Sequence, residues 1–399
     1  MIIRSRRELV AAASIFAVAA LAALCCQPRP SVPLVDLRAP ASVQREAWAA
    51  GAALGAVRLV GHGLDIAAAL NASRSLFALP EPTKLAAGSL DGRPGFQRGY
   101  LAIGGESGLA ANLELKEGFC YGYEWPANAP VENGLCGPNL WPEGSEGAPW
   151  RAELTHYFHA AAGAMQRATA QMAEALLLPV DAASLLRGGE RISIMRLFHY
   201  FSAAEHAHIA PGGLRACGSH LTRRGHVPPT PVGKPRTGSS AHTDWHVATL
   251  IAQDGTGGLQ LLGADGAWVG VPPLAGEVVV LLGDYLHLLS RGATHSPIHR
   301  VLLPPERRHR YSLTLFGYPS FDATLPAEAA AAAELPPSHT RAQLAAAGAF
   351  NTLVNGSDPQ ARLRLAEEAF GDLVLDKWRG VAANRVGSRS YRAGSDAVR

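Results

Sequence analysis

Cysteine is scarce in this chain of 399 residues, and the five present build no framework. Cys25, Cys26, Cys120, Cys136 and Cys217 are odd in number and include no Cys-x-x-Cys pair, which argues against a zinc ribbon or a disulfide scaffold. A Cys120–Cys136 bridge is open only if the chain is exported; buried thiols are the simpler expectation. An excess of charge of one sign is also missing. Lys and Arg number 36 against 33 Asp and Glu, for a formal charge of +3, so no polyanionic partner is implied. The basic residues are scattered and do not alternate with aromatics in a stripe, so no nucleic-acid contact is expected. Gly255-Thr256-Gly257-Gly258 is Gly-rich, but no dinucleotide fingerprint or following helix accompanies it, and it reads as a hairpin turn. No internal repeat is visible. What the chain has in quantity is apolar surface: 48% of its residues are hydrophobic, enough for a sizeable core.

The first thirty residues stand apart. Arg4, Arg6 and Arg7 precede an uncharged, Ala-rich run over 9–26 that ends at Gln27-Pro28-Arg29-Pro30. This predicts a secretory signal, an organelle-targeting segment or a single membrane anchor. At about 18 residues the run is at the lower limit for crossing a bilayer. The expected location is accordingly membrane-associated, organellar or exported, with the rest of the chain soluble.

Downstream the pattern changes period. Residues 43–54 and 66–78 read as helices around a strand at 56–60. Residues 125–149 are a Pro-, Gly- and Asn-rich loop, and 153–178 a long amphipathic helix suited to bracing a sheet. A strand is expected at 192–201. From residue 241 onward, short apolar runs alternate with Gly, Pro and Asp turns, at 247–252, 258–262, 268–271, 278–282, 299–303 and 311–318. Many short strands with regular turns predict a mainly β chain with flanking helices, of α+β class, on a double-stranded β-helix (jelly-roll) core. Helices are also expected at 327–333, 340–347 and 358–370.

One set of residues carries chemistry. His242-Thr243-Asp244 is followed much later by His299 and then by Arg310-Tyr311-Ser312. Two imidazoles and one carboxylate are the ligand set of a non-haem Fe(II) centre that keeps coordination positions open. Residues i and i+2 of a strand share a face, so His242 and Asp244 are expected to grip a metal from one strand, with His299 brought alongside from another. Arg310 and Ser312 repeat the spacing and would hold a carboxylate by charge-assisted hydrogen bonds. A lone His-x-Asp is more often a surface turn than a metal site; the three motifs together outweigh that reading. His246, two residues past Asp244, is read as pocket lining.

At these residues the chain resembles the Fe(II)/2-oxoglutarate-dependent oxygenases of the isopenicillin-N-synthase-like branch. The likeness runs through Gly238-Ser239-Ser240-Ala241-His242-Thr243-Asp244-Trp245, Gln253-Asp254, Gly258-Leu259-Gln260-Leu261, Gly283-Asp284, Ser296, His299-Arg300-Val301 and Arg310-Tyr311-Ser312. In the N-terminal half it includes Val32-Pro33-Leu34-Val35-Asp36-Leu37, Gly61-His62-Gly63, Lys84, Lys116-Glu117 and Asn139-Leu140-Trp141-Pro142. The resemblance implies Fe(II) on His242, Asp244 and His299, 2-oxoglutarate as co-substrate on Arg310 and Ser312 with Tyr200 beside them, and O₂ as oxidant. It implies that 2-oxoglutarate is decarboxylated to succinate while a small-molecule substrate is hydroxylated or desaturated. Phe198 and Phe201 stand where the family has asparagine and proline, and Arg291-Gly292 and His295 where it has Asn-Gly and lysine. The two phenylalanines bear on the role carried over to Tyr200 and predict a pocket unlike those of the plant hormone and flavonoid enzymes.

Five regions follow: the targeting or anchor segment 1–30, an N-terminal extension 31–150, the oxygenase jelly roll 151–325 with a His-containing insertion at 203–240, C-terminal helices 326–386, and a polar, disordered tail 387–399. A monomer is expected, with membrane attachment through 9–26 open. Two other functions keep the same residues. An oxidase of the isopenicillin N synthase kind would use iron without 2-oxoglutarate, because Arg310 and Ser312 announce a carboxylate and not which one. A non-catalytic jelly roll would bind metal or ligand without turnover, at the cost of keeping polar groups converged in a pocket.

Overall fold

Pairing sorts twelve described strands into two sheets. In chain order they are β1 (Leu34–Asp36), β2 (Ala56–Val60), β3 (Gly99–Leu101), β4 (Lys116–Gly122), β5 (Ile194–Tyr200), β6 (Thr237–His242), β7 (Ala248–Gln253), β8 (Leu259–Leu262), β9 (Trp268–Gly270), β10 (Val278–Leu282), β11 (His299–Leu302) and β12 (Arg310–Gly317). The helices are α1 (Arg45–Leu54), α2 (Ile66–Phe77), α3 (Glu81–Ala86), α4 (Pro149–Leu176), α5 (Asp284–Leu289), α6 (Ala327–Ala332) and α7 (Phe370–Asn384). The computed structural model describes residues 32–88, 97–103, 114, 116–126, 128–181, 185–202, 237–305, 307–332 and 364–384. The apolar run 9–26, the insertion as far as residue 236, the helix expected at 340–347, the first part of that expected at 358–370 and the tail 387–399 lie outside these residues. Among the described residues no helix is long and apolar enough to cross a membrane.

The larger sheet has eight strands in the order β1-β2-β10-β7-β12-β5-β4-β3, and the smaller has four in the order β6-β11-β8-β9. Together they form the expected jelly-roll core with helices flanking it. Among these strands only β1 and β2 pair in parallel. Strands from the N-terminal extension occupy both ends of the large sheet, so the extension completes that sheet. Residues 255–258 join β7 of one sheet to β8 of the other, so they are an inter-sheet crossing and not the expected hairpin. Gly257 and Gly258 there have φ of 81° and 103°, a region that costs glycine least.

Register across β12, β5 and β4 sets the site. Arg310 pairs with Tyr200 and Tyr200 with Lys116; Ser312 pairs with Phe198; Thr314 pairs with Arg196. These positions share one face of the sheet and line one cavity. The intervening Leu313 and Leu315 point to the other side and are buried in the core. There α4 braces the sheet. It starts at Pro149, ahead of the expected 153, because proline suits the first helical turn. Its buried face carries Leu154, Phe158, Ala161, Met165, Ala168 and Met172, at helical spacing. Burying each large apolar side chain contributes roughly 1.5–3 kcal/mol. Cys120 and Cys136 are both buried and are not bridged to one another.

Candidate active site

His242 and His299 meet because β6 and β11 pair at those two residues, with ring centroids 4.3 Å apart. The pairing is irregular. β6 takes three steps from Ser239 to His242 while β11 takes two from Val301 to His299. Such a bulge re-aims side chains, and it brings Ser239 and His242 to the same cavity. Asp244 does not continue the strand: β6 ends at His242, and Asp244 lies in the connection to β7. This corrects the expectation that one strand presents both ligands. What holds Asp244 is tertiary. Its carbonyl accepts from Asp284 N at 2.7 Å, and its Oδ2 accepts the Thr249 hydroxyl.

The three side chains converge. His242 Nε2 lies 3.6 Å from Asp244 Oδ1, and His299 Nε2 lies 3.6 Å from Asp244 Oδ2. One ligand atom from each residue falls within 4.8 Å of the others. The opposite ring nitrogens are tied back. His242 Nδ1–H donates to Ser240 O at 2.6 Å and His299 Nδ1–H to Pro297 O at 3.1 Å. A carbonyl only accepts, so both Nδ1 atoms carry the proton and both Nε2 lone pairs face the carboxylate. That is the tautomer and orientation a metal-binding histidine needs. The donor set, two imidazoles and one carboxylate, fits Fe(II).

Charge follows burial. Desolvation opposes ionisation of Asp244, but His299, His246, His242 and the Thr249 hydroxyl together outweigh it and hold its carboxyl at about 2. Burial pushes His299 and His246 down to about 4 despite the pull of Asp244. Near neutral pH the cluster therefore presents a carboxylate and, at His299, a neutral imidazole, the forms that bind metal.

Arg310 is 1% exposed at the same cavity. It donates from Nη1 to Ser312 Oγ and from Nη2 to Gln253 Oε1, both at 3.1 Å, and its guanidinium lies 4.7 Å from the Tyr200 ring. Its Nε is buried without a hydrogen-bond partner. A buried cation with a spare N–H beside two polar neighbours fits a carboxylate ligand. So the structure brings together His242, Asp244, His299, Arg310, Ser312 and Tyr200, and His246 lines the same cavity.

Four further contributors have no role that the sequence assigns. Thr249 lines the cavity from β7, and Gln253, at the end of the same strand, accepts from Arg310. Glu114 accepts from Ser240 N at 2.7 Å and pairs with Lys116 at 3.0 Å, linking the large sheet to the edge of β6. Strand alternation would have placed Thr249 with Ile251 and Gln253 on one face; nothing local identifies which hydroxyl meets Asp244.

Fold and centre together define a jelly-roll oxygenase with a mononuclear iron site. Residues 218–319 match the 2OG-Fe(II) oxygenase superfamily, and 32–144 the non-haem dioxygenase in morphine synthesis N-terminal family. A 2-oxoglutarate-dependent dioxygenase of Didymella fabae is 32% identical over 276 residues, covering 66% of this chain and 75% of that one. The 2-oxoglutarate-dependent dioxygenase citB of Monascus ruber is 32% identical over 292 residues, covering 69% and 77%. In fold the chain is similar to a Neurospora crassa protein solved in complex with alpha-KG and thymine (TM-score 0.59, 20% identity, 87% of this chain and 96% of that one). It is also similar to a 2OG-Fe(II) oxygenase family protein of Caulobacter crescentus (TM-score 0.57, 24% identity, 74% and 88%). The chain belongs to the 2OG-Fe(II) oxygenase superfamily. It is an Fe(II)/2-oxoglutarate-dependent dioxygenase that uses O₂, as the resemblance implied. A jelly roll without turnover is thereby set aside.

Proposed function

We propose that His242, Asp244 and His299 hold the Fe(II), and that Arg310 and Ser312, flanked by Tyr200, seat the distal carboxylate of 2-oxoglutarate. A small organic molecule is then hydroxylated or desaturated in the remainder of the cavity. The observation that carries this reading is the pair of 3.6 Å approaches from two Nε2 atoms to the two oxygens of one carboxylate, with both Nδ1–H groups tied to backbone carbonyls. When bound, Fe(II) supplies the redox chemistry that couples O₂ reduction to the loss of CO₂ from 2-oxoglutarate. The protein's own part is positional. Ser240 O and Pro297 O fix the two imidazoles, and Thr249 orients the Asp244 carboxylate. Arg310, braced by Ser312 and Gln253, sets where the co-substrate lies. Buried walls exclude water from the substrate's C–H bond. Residues 9–26 serve in this reading as a targeting or membrane-attachment segment, and the enzyme works as a monomer; cell fractionation and light scattering test these two points.

The test is an anaerobic titration of the Fe(II)-loaded protein with 2-oxoglutarate, followed by succinate measurement in air. A saturable visible charge-transfer band that weakens in Arg310→Ala and vanishes in Asp244→Ala supports the reading. Iron binding without the band or succinate would favour an oxidase that takes a different carboxylate.

A further inference from the structure

The cavity extends well beyond Arg310 and Ser312. Along β12 the residues lining it are Arg310, Ser312, Thr314 and Phe316. At about 3.3 Å per residue this face is about 20 Å long. Arg310 and Ser312 stand at one end. At the other, Phe316 pairs with Thr249, whose hydroxyl meets Asp244. Here the lining becomes aromatic, with Trp245, Phe316, Tyr318 and Trp378.

Trp378 comes from α7, outside the two sheets. Its ring meets that of Trp245 edge-on, with centroids 5.5 Å apart. The Arg196 guanidinium lies 5.2 Å from the Trp378 ring and 5.2 Å from that of Phe316. His246 stands 5.1 Å from Phe316 and 5.4 Å from Tyr318, closing the ring cluster beside Asp244. One nitrogen in this wall, Trp378 Nε1, is buried without a hydrogen-bond partner. Trp378 leans on the Tyr318 hydroxyl but closes no bond of normal geometry with it. Buried polar groups ordinarily have partners, and groups left open in a pocket point to a ligand. An indole N–H only donates, so what completes Trp378 must accept. Ring faces and edges in turn reward another flat ring more than a flexible saturated one.

We propose that this aromatic wall is the substrate subsite, and that the substrate is a planar, unsaturated ring compound with a hydrogen-bond acceptor, such as a ring carbonyl, set against Trp378. This rests on the iron and 2-oxoglutarate reading above. Trp378 is a specificity-determining residue in it: the ring supplies the stacking surface and Nε1–H the polar contact.

The experiment uses the full chain, loaded anaerobically with Fe(II) and 2-oxoglutarate, and two probes of one skeleton. Coumarin is flat and carries a carbonyl; octahydrocoumarin keeps the carbonyl and loses the flatness. Displacement of the visible band reports binding beside the metal, and succinate formed in air reports stimulated turnover. Coumarin is expected to bind at least about tenfold more tightly than octahydrocoumarin. Trp378→Phe, which keeps a ring and loses the N–H, should weaken coumarin about fivefold. Trp378→Ala should weaken it about fiftyfold. Trp378→Phe remains informative if the alanine variant does not fold. Equal binding of the two probes, coumarin affinity unchanged in both variants, or a band that coumarin does not move would overturn the proposal. Because the band with 2-oxoglutarate is recorded before any probe is added, its absence would sink the underlying reading, whereas its presence with any of those results sinks the substrate inference alone.

Discussion

Asp284 accepts the hydroxyl of Thr243 at 3.1 Å across 41 residues of sequence. Thr243 stands between His242 and Asp244. The other oxygen of the same carboxylate accepts the Ser296 hydroxyl at 2.6 Å, three residues before His299. One buried carboxylate thus clasps the segment that carries two proposed ligands to the segment that carries the third. Its backbone N–H adds the bond to Asp244 O. Removing such an outer support typically costs about 10–100-fold in metal affinity. Asp284→Ala is therefore expected to weaken Fe(II) binding by that factor in an anaerobic titration, and Asp284→Asn, which keeps an acceptor and the shape, by less. Unchanged Fe(II) affinity in both variants would show that the clasp does not set the ligand geometry.

Arg310 should govern co-substrate affinity and not metal affinity. Its guanidinium donates to Ser312 and Gln253, at the end of the cavity away from Asp244. Losing a charge-assisted pair costs roughly 1.5–3 kcal/mol, about a 10–100-fold change. Arg310→Ala is expected to raise the 2-oxoglutarate half-saturation by that factor while Fe(II) affinity holds. Lys in its place should recover only part, because it lacks the planar fork. Equal losses of metal and co-substrate binding would contradict this division of labour.

Glu117 makes the fold acid-sensitive from the reverse side of the same strands. Its carboxylate accepts from Lys84 Nζ at 2.8 Å, Tyr100 OH at 2.5 Å and His199 Nδ1 at 2.7 Å. Burial pushes its pKa up, but the His199 hydrogen bond, the Lys84 charge and the Tyr100 hydroxyl outweigh burial and hold it below the ordinary carboxylate value. A carboxyl depressed in the folded state stabilises the protein above its unfolded pKa, about 4.3, and that contribution is lost as pH falls through the lower folded value. Melting temperature should therefore drop between about pH 5 and about pH 3. Glu117→Gln should start about 3 kcal/mol less stable and lose less over the same range. Parallel acid profiles for the two proteins would remove Glu117 from the explanation.

Gly283 is required by contact. A Cβ there would stand 1.8 Å from His246 O, which is backbone and cannot swing away. Gly270, in β9, has open space at the same point. Gly283→Ala is expected to destabilise the protein by more than about 2 kcal/mol and to reduce Fe(II) occupancy, with Gly270→Ala near neutral. Thermal melts of the two variants side by side decide it; equal melting temperatures would mean that the 283–246 contact relaxes at little cost.

Much of this was legible beforehand, and the reason is local. β12 shows it well. Arg310, Ser312 and Thr314 alternate with Leu313 and Leu315, so which side chains face the cavity and which face α4 is written in a period of two. α4 is likewise visible in its helical repeat. Less legible was anything that depends on which strands become neighbours. Residues 255–258 look like a hairpin turn, because glycines permit a turn whatever it joins, yet they carry the chain from one sheet to the other. Asp244 looks like the second face-sharing residue of a strand, yet the strand ends at His242 and the bond from Asp284 N takes over.

By itself the sequence determined the chemistry available to this protein. Two imidazoles, a carboxylate, an arginine and a serine, in that order and among short alternating strands, specify an iron- and carboxylate-binding jelly roll, because ligand type and strand period are properties of neighbouring residues. Only the tertiary structure decided how those groups are held. The bulge in β6, the Asp284 clasp, the Thr249 hydroxyl on Asp244 and the arrival of Trp378 from α7 all join residues from different elements of the fold. Their meeting is a consequence of sheet order and packing, which no local pattern encodes.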